Sequence, residues 1–312
     1  MIITRCPLRI SLAGGSTDLD AFMDKFGNGS VISFPCNLYT YIYLQRDRLG
    51  YNHDGYYVIN YSEKEISKSI QNIKNDIVRE ALKKFPVDPL GITFYSDIHS
   101  TGSGLGSSSS YMNCLLKALS ILKINSQGSD NYLICRLAYI IEKKFNYLLG
   151  QQDSYGCGIG GLKKMVFSKS KSPEINFITT NMFEDMYMFL IPTGVSRKST
   201  NVLKTVEFKD NKLLSLVSAM EECLRTNDDK SFHSIINEGW IKKKETSKLI
   251  DEDINIKNLD ESLSADQDIL SHRLCGAGNG GFFLVFTNNK SFNKYNSIAI
   301  DIDTDGIIAN KL

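Results

Sequence analysis

The sequence predicts an α+β fold in two domains, and three observations carry that prediction. At 312 residues with 42% apolar composition, the chain can fill two hydrophobic cores. Strand-like and helix-like runs occur together in each half, without the regular alternation that builds a parallel βαβ array. Between the halves, the polar stretch Ser168–Ser172 ends on Pro173 and interrupts the apolar periodicity. That places the division at residues 1–168 and 169–312.

In the first half, strands are expected over Leu8–Leu12, Val31–Phe34 and Tyr39–Leu44. In the last of these, Tyr39, Tyr41 and Tyr43 alternate with Thr40, Ile42 and Leu44. Ile66, Ile70, Ile73, Ile77, Ala81 and Phe85 fall on one helical face, predicting an amphipathic helix that ends near Pro86. Ile92–Tyr95 reads as a strand. Tyr111, Met112, Leu115, Leu116, Leu119 and Leu122 predict a helix, and Asp130–Leu149 a long one stopped by Gly150. In the second half, Met186–Ile191, Gly281–Phe286 and Ile298–Ile302 read as strands. Helices are expected near Leu213–Leu224, Ser231–Trp240 and Ile241–Ile250.

Charge and cysteine usage exclude several function classes. Lys and Arg number 36 against 35 Asp and Glu, and no basic run is interleaved with aromatics, so no nucleic-acid partner is expected. Met1–Arg5 is not the charged head of a leader, and no apolar run approaches the length that spans a bilayer. A cytoplasmic protein with no membrane partner is the expectation. Seven dispersed cysteines, an odd number, fit neither a disulfide framework nor a Cys-x-x-Cys site. The four histidines form no metal-binding pair, so any metal must be held by oxygen.

Three glycine-rich segments carry the chemistry. Gly102, Ser103, Gly104, Leu105, Gly106, Ser107, Ser108, Ser109 and Ser110 lie between an expected strand and an expected helix. Glycine admits close backbone approach, and free amides at a helix start favour an anion, so this segment is a candidate nucleotide phosphate loop. A Gly/Ser linker has the same composition, but a linker is not bracketed so tightly by regular elements. The segment lacks the lysine of a Walker loop and the third glycine of a dinucleotide fingerprint. Gly276–Gly281 does spell Gly-x-Gly-x-x-Gly, yet it opens a strand where that fingerprint opens a helix. The third segment, Pro7–Asp18, runs from a strand into the turn Gly14-Gly15-Ser16-Thr17-Asp18.

In this order the three segments resemble the GHMP small-molecule kinases over most of the chain. The resemblance implies a ribosomal-protein-S5-like N-terminal domain, a ferredoxin-like C-terminal domain, and a cleft between them for ATP, Mg²⁺ and a small-molecule acceptor. It implies that Gly102, Gly104, Leu105, Gly106, Ser107, Ser108 and Ser109 bind the nucleotide, and that Ser108 and Glu142 hold the metal. Asp153, eleven residues beyond Glu142, is implied as the base that takes the acceptor's proton, with Arg9 holding it ionised or steadying the transferring phosphoryl. Residue type alone also allows Glu142 to be a solvated helix carboxylate beside Lys143 and Lys144, and Asp153 a turn aspartate. Thr17, Asp18, Arg197 and Gly278 are implied on the substrate side.

Leu8-Arg9-Ile10-Ser11, Ala13-Gly14-Gly15, Thr17-Asp18, Gln152-Asp153 and Thr193-Gly194 with Arg197 and Ser199 are most similar, within that family, to the D-glycero-D-manno-heptose 7-phosphate kinases. That likeness implies a sugar phosphate as acceptor, phosphorylated at C1 to a 1,7-bisphosphate that feeds GDP-heptose synthesis for surface polysaccharide. A galactose, fucose or other sugar-1-kinase and a non-catalytic sugar or nucleotide sensor are the competing readings, and either a monomer or a homodimer fits. Three residues depart from the subfamily pattern: Ser16 for a glycine, Gln151 for a lysine, and Asn279 within the C-terminal glycines.

Overall fold

The computed structural model describes residues 1–46, 55–98, 102–124, 130–169, 171–196 and 199–312. Chain order runs β1 (Ile2–Ala13), α1 (Asp20–Phe26), β2 (Asn28–Gln45), β3 (Tyr57–Asn60), β4 (Lys64–Ser67), α2 (Asp76–Lys84), β5 (Gly91–Ser96) and α3 (Ser107–Ile124). It continues with α4 (Asn131–Glu142), α5 (Gln152–Gly158), β6 (Lys163–Ser168), β7 (Glu174–Phe177), β8 (Tyr187–Pro192) and α6 (Ser199–Leu203). Last come α7 (Lys212–Thr226), α8 (Asp229–Glu245), α9 (Ile254–Ala265), β9 (Ser271–Leu274), β10 (Phe282–Thr287), β11 (Ile298–Ile300) and β12 (Ile308–Lys311).

The strands form an eight-stranded sheet, β12-β1-β2-β5-β3-β4 with β6 and β7 joined through β2, and a four-stranded sheet, β11-β8-β10-β9. Only the β3–β5 pair is parallel among those described. The mixed α+β architecture matches the sequence expectation. Two strands of the larger sheet, β7 and β12, come from beyond residue 168, so the chain crosses between the sheets more than once.

β1 sets the position of everything that follows. Leu8, Ile10 and Leu12 are buried in a core shared with Leu216, Met220 and Leu284, while Arg9 and Ser11 on the opposite face line a cleft. The period of two in a strand gives one element both jobs. The ladder with β2 slips between Pro7 and Leu8, where proline has no N–H to give, so a bulge is the accommodating feature. α3 and α5 pack on β1 and β2 over one core, and α7 and α8 reach β1 from the second half. No helix among the described residues is long and apolar enough to cross a membrane.

Several expected elements differ in extent. Val31–Phe34 and Tyr39–Leu44 belong to one continuous strand, β2. The amphipathic helix expected from Ile66 begins only at Asp76, because the Asn75 side chain caps it by accepting from the Val78 amide at 3.1 Å. Ile66 sits on β4 and is exposed, so its helical spacing to Ile70 was coincidental. The helix expected over Asp130–Leu149 stops at Glu142 and gives way to turns. Ser231–Trp240 and Ile241–Ile250 are not two helices, since α8 runs through Glu245 without a break.

Candidate active site

A cleft of about 470 Å³ opens between the halves of the molecule, within the range of small-molecule sites. Its walls come from β1, the turn after it, the glycine segment before α3, the end of α4, the start of α5, and the Gly276 segment.

The glycine segment turns into α3 through Gly102, Gly104 and Gly106, all at positive φ of 70°, 74° and 78°. Their need for glycine has a second source besides room for a ligand. A Cβ on Gly104 would stand 2.8 Å from the Cys275 carbonyl oxygen, so the two glycine-rich loops lie back to back. Gly104→Ala is therefore expected to lower stability by about 1–3 kcal/mol, the cost of backbone strain of this kind, as read by urea denaturation. An unchanged midpoint would show that the loops separate easily. Leu105 is buried and anchors the loop by accepting from the Arg9 amide at 2.9 Å. Ser107 and Ser108 line the cleft at the start of α3, whose first amides have no partner within the helix.

Glu142 is fully buried, which removes the solvated-helix reading. Its two oxygens each accept a hydroxyl, from Ser108 and from Ser109, both at 2.5 Å. Burial pushes its pKa up to about 7 against the opposing pull of those two hydroxyls. Ser109 thus supports Glu142 from behind and does not itself line the cleft. Ser108 and Glu142 form a hard-oxygen pair at the cleft wall, and a cation beside them would supply the charge that burial withholds. The pair fits Mg²⁺, which takes few protein oxygens and completes its shell with phosphate and water.

Asp153 lies in the first turn of α5. Arg9 donates to its Oδ1 twice, from Nε at 2.9 Å and Nη2 at 2.7 Å. Nη1 of Arg9 donates to the Gly104 carbonyl at 2.5 Å, tying the carboxylate to the glycine loop. Both bonds fall on one oxygen, so Oδ2 faces no protein donor among the described residues. The nearby Asp153 charge raises the Arg9 pKa although burial opposes it.

Asp18 also lines the cleft, with the Gln152 amide donating to Oδ2 at 2.9 Å and Gln152 Nε2 to Oδ1 at 2.8 Å. Burial raises its pKa to about 6. Gly150 is required beneath it, because a Cβ there would collide with the Asp18 carboxylate. Ser11 donates to Gln152 Oε1 at 2.9 Å and completes the chain of contacts.

Two expected substrate-side residues take other places. Thr17 is fully buried, and its hydroxyl donates to the Ser30 carbonyl at 2.7 Å while accepting from the Ser30 amide at 2.9 Å. It fixes the turn that presents Asp18. Gly278 packs against Ile250, where a Cβ would come within 2.6 Å, and is absent from the cleft lining. Arg197 lies outside the described residues. Two of the three departures have a common account: Ser16 at φ 78° and Asn279 at φ 56° keep the left-handed backbone that glycine would otherwise supply. Sequence reading missed Arg273 and Lys243 in the cleft wall. Lys243 stands in the run Lys242-Lys243-Lys244, which reads as a solvated face, yet it is buried.

The family model for the GHMP kinases N terminal domain matches residues 67–161, the stretch that holds the glycine loop, Glu142 and Asp153. The chain carries a GHMP kinase N-terminal domain. A curated Campylobacter jejuni protein, D-glycero-alpha-D-manno-heptose 7-phosphate kinase, is 29% identical over 321 aligned positions, covering 95% of this chain and 92% of that protein. Among solved structures, a D-glycero-D-manno-heptose 1-phosphate kinase from B. thetaiotaomicron superposes with TM-score 0.75 at 22% identity, over 100% of this chain and 99% of the other. Streptococcus pneumoniae phosphomevalonate kinase, solved with phosphomevalonate and AMPPNP, gives TM-score 0.73 at 15% identity, covering 95% and 94%. The GHMP kinase fold therefore extends across both halves of the chain.

Proposed function

We propose that this GHMP-type kinase transfers the γ-phosphoryl group of ATP to the C1 hydroxyl of D-glycero-D-manno-heptose 7-phosphate. The products are the 1,7-bisphosphate and ADP, and the bisphosphate enters GDP-heptose synthesis for surface polysaccharide. The observation that carries the reading is the pair of carboxylates in one cleft: Asp153 with Oδ2 open, and Glu142 joined to Ser108. The heptose kinase names of two relatives support the choice of sugar.

Each residue then has a task. Arg9 holds Asp153 in orientation, and Oδ2 accepts the C1 hydroxyl proton as the oxygen attacks phosphorus. Asp18, steadied by Gln152, accepts from acceptor hydroxyls. Ser107 and the first amides of α3 receive ATP phosphate oxygens. Ser108 and Glu142 would hold Mg²⁺, which supplies charge neutralisation to the phosphates. The division at residue 168 and a substrate-side role for Arg197 belong to the same proposal.

The names of the two heptose kinases place the phosphate at different carbons, so position must be measured. Incubation with ATP, Mg²⁺ and a panel of heptose 7-phosphate, heptose, galactose and fucose, resolved by phosphorus NMR, tests sugar and position together. A new anomeric phosphate on heptose 7-phosphate is the expected product. Efficient turnover of galactose or fucose with none of heptose 7-phosphate would replace the substrate, and turnover of no sugar would overturn the reading.

A further inference from the structure

Arg273 is a buried cation that the catalytic roles above leave unused. It lies on β9, 4% exposed, and lines the cleft. Its Nη1 donates to the Leu12 carbonyl at 2.5 Å, whereas Nε is buried with no hydrogen-bond partner. No carboxylate among the described residues lies within ion-pair distance. Burial lowers its pKa from the usual value, and the neighbouring Arg9 charge acts in the same direction. A buried charge left unpaired costs several kcal/mol, so a guanidinium kept this way is suited to a ligand that brings the missing anion.

Its surroundings say which end of the cleft that ligand occupies. A Cβ on Gly15 would stand 3.8 Å from Arg273 Nη2, so the Gly14-Gly15 turn borders the guanidinium. That turn leads to Asp18, on the acceptor side. Lys243 reaches the same wall from α8, donating to the Gly276 carbonyl, and is also 4% exposed. Arg9, unlike Arg273, already has Asp153.

We infer that Arg273, with Lys243, forms the subsite for a phosphomonoester carried by the acceptor itself, and so determines preference for a phosphorylated sugar. The inference rests on the sugar-kinase reading and adds to it the residues that recognise the acceptor's own phosphate. A guanidinium fork and an ammonium together match phosphate geometry and charge. Binding at that remote group orients the reacting hydroxyl toward Asp153.

Arg273→Met is expected to lower the ratio of kcat/KM for heptose 7-phosphate to that for heptose by on the order of 10²–10³, as for truncating a desolvated charge pair, with the KM for ATP moved far less. Lys243→Met should lower the same ratio, and Arg273→Lys should restore part of it. A uniform loss on both acceptors, a dominant rise in the KM for ATP, or a selective loss in Arg197→Ala but not in Arg273→Met would overturn the assignment. Inorganic phosphate gives a readout that needs no turnover and uses the wild-type chain. It should raise Tm, compete with the sugar phosphate and not with ATP, and lose its effect on Tm in Arg273→Met or, should that variant not fold, in Lys243→Met. No shift of the wild-type Tm, or competition with ATP alone, would also overturn it. If no sugar is phosphorylated while phosphate still raises Tm through Arg273, the sugar-kinase reading fails and the anion subsite stands.

Discussion

Asp153→Asn is expected to lower kcat by on the order of 10²–10⁴, the range for losing a positioned general base. The amide preserves shape but cannot take the acceptor proton, and it gives Arg9 a neutral oxygen in place of a carboxylate. Nucleotide binding should survive, because the glycine loop keeps its contact to Arg9 through the Gly104 carbonyl. Stability should fall by less than the roughly 3–5 kcal/mol of breaking a fully buried pair, since the Asp153 side chain is 24% exposed. Single-turnover phosphoryl transfer and nucleotide titration read the two effects separately. Turnover near that of the wild type would remove Asp153 from the base role.

Glu142→Gln is expected to raise the Mg²⁺ concentration for half-maximal rate by at least the roughly 10–100-fold that losing a supporting partner of a metal ligand costs. The pH dependence gives the sharper measurement. Because burial holds the Glu142 pKa at about 7 rather than its ordinary 4.5, the folded metal-free chain keeps a proton there that the unfolded chain releases. Between those values the folded state binds more protons, so this group's contribution to stability falls as pH rises from about 4.5 through about 7. Metal binding must expel that proton, so Mg²⁺ affinity should fall toward about tenfold per pH unit below the Glu142 pKa. In Glu142→Gln that slope should flatten. A wild-type Mg²⁺ titration that is indifferent to pH between 5 and 7, on the order of the window just derived, would leave Glu142 as a purely structural carboxylate.

Local signals revealed much of this site. Alternation of Leu8, Ile10 and Leu12 with Arg9 and Ser11 is visible in the sequence, and it puts the last two on one face wherever the strand lies. The glycine segment before α3 was equally legible, since three glycines, a run of serines and an apolar helix have few other uses. Asp153 and Glu142 stood out only through the order of motifs. Their neighbours misled: Lys143 and Lys144 suggested a solvated face, while Glu142 itself turns wholly inward. Helical spacing from Ile66 misled as well, because a three- or four-residue interval does not exclude a strand and a turn followed by a helix.

By itself, the sequence determined the α+β class, the strand carrying Arg9 and the glycine segment that leads into α3, because each depends on residues close together in the chain. Tertiary structure alone decided which of those residues meet. Arg9 and Asp153 are 144 positions apart, and Leu12 and Arg273 261 apart, distances at which periodicity carries no information. It also decided that Thr17 fixes a turn and Gly278 packs against Ile250, that Gly104 and Gly276 back one another, and that Arg273 has no carboxylate partner among the described residues. The physical reason is that burial and pairing arise from the elements brought against a residue, and those elements are set by how the whole chain packs.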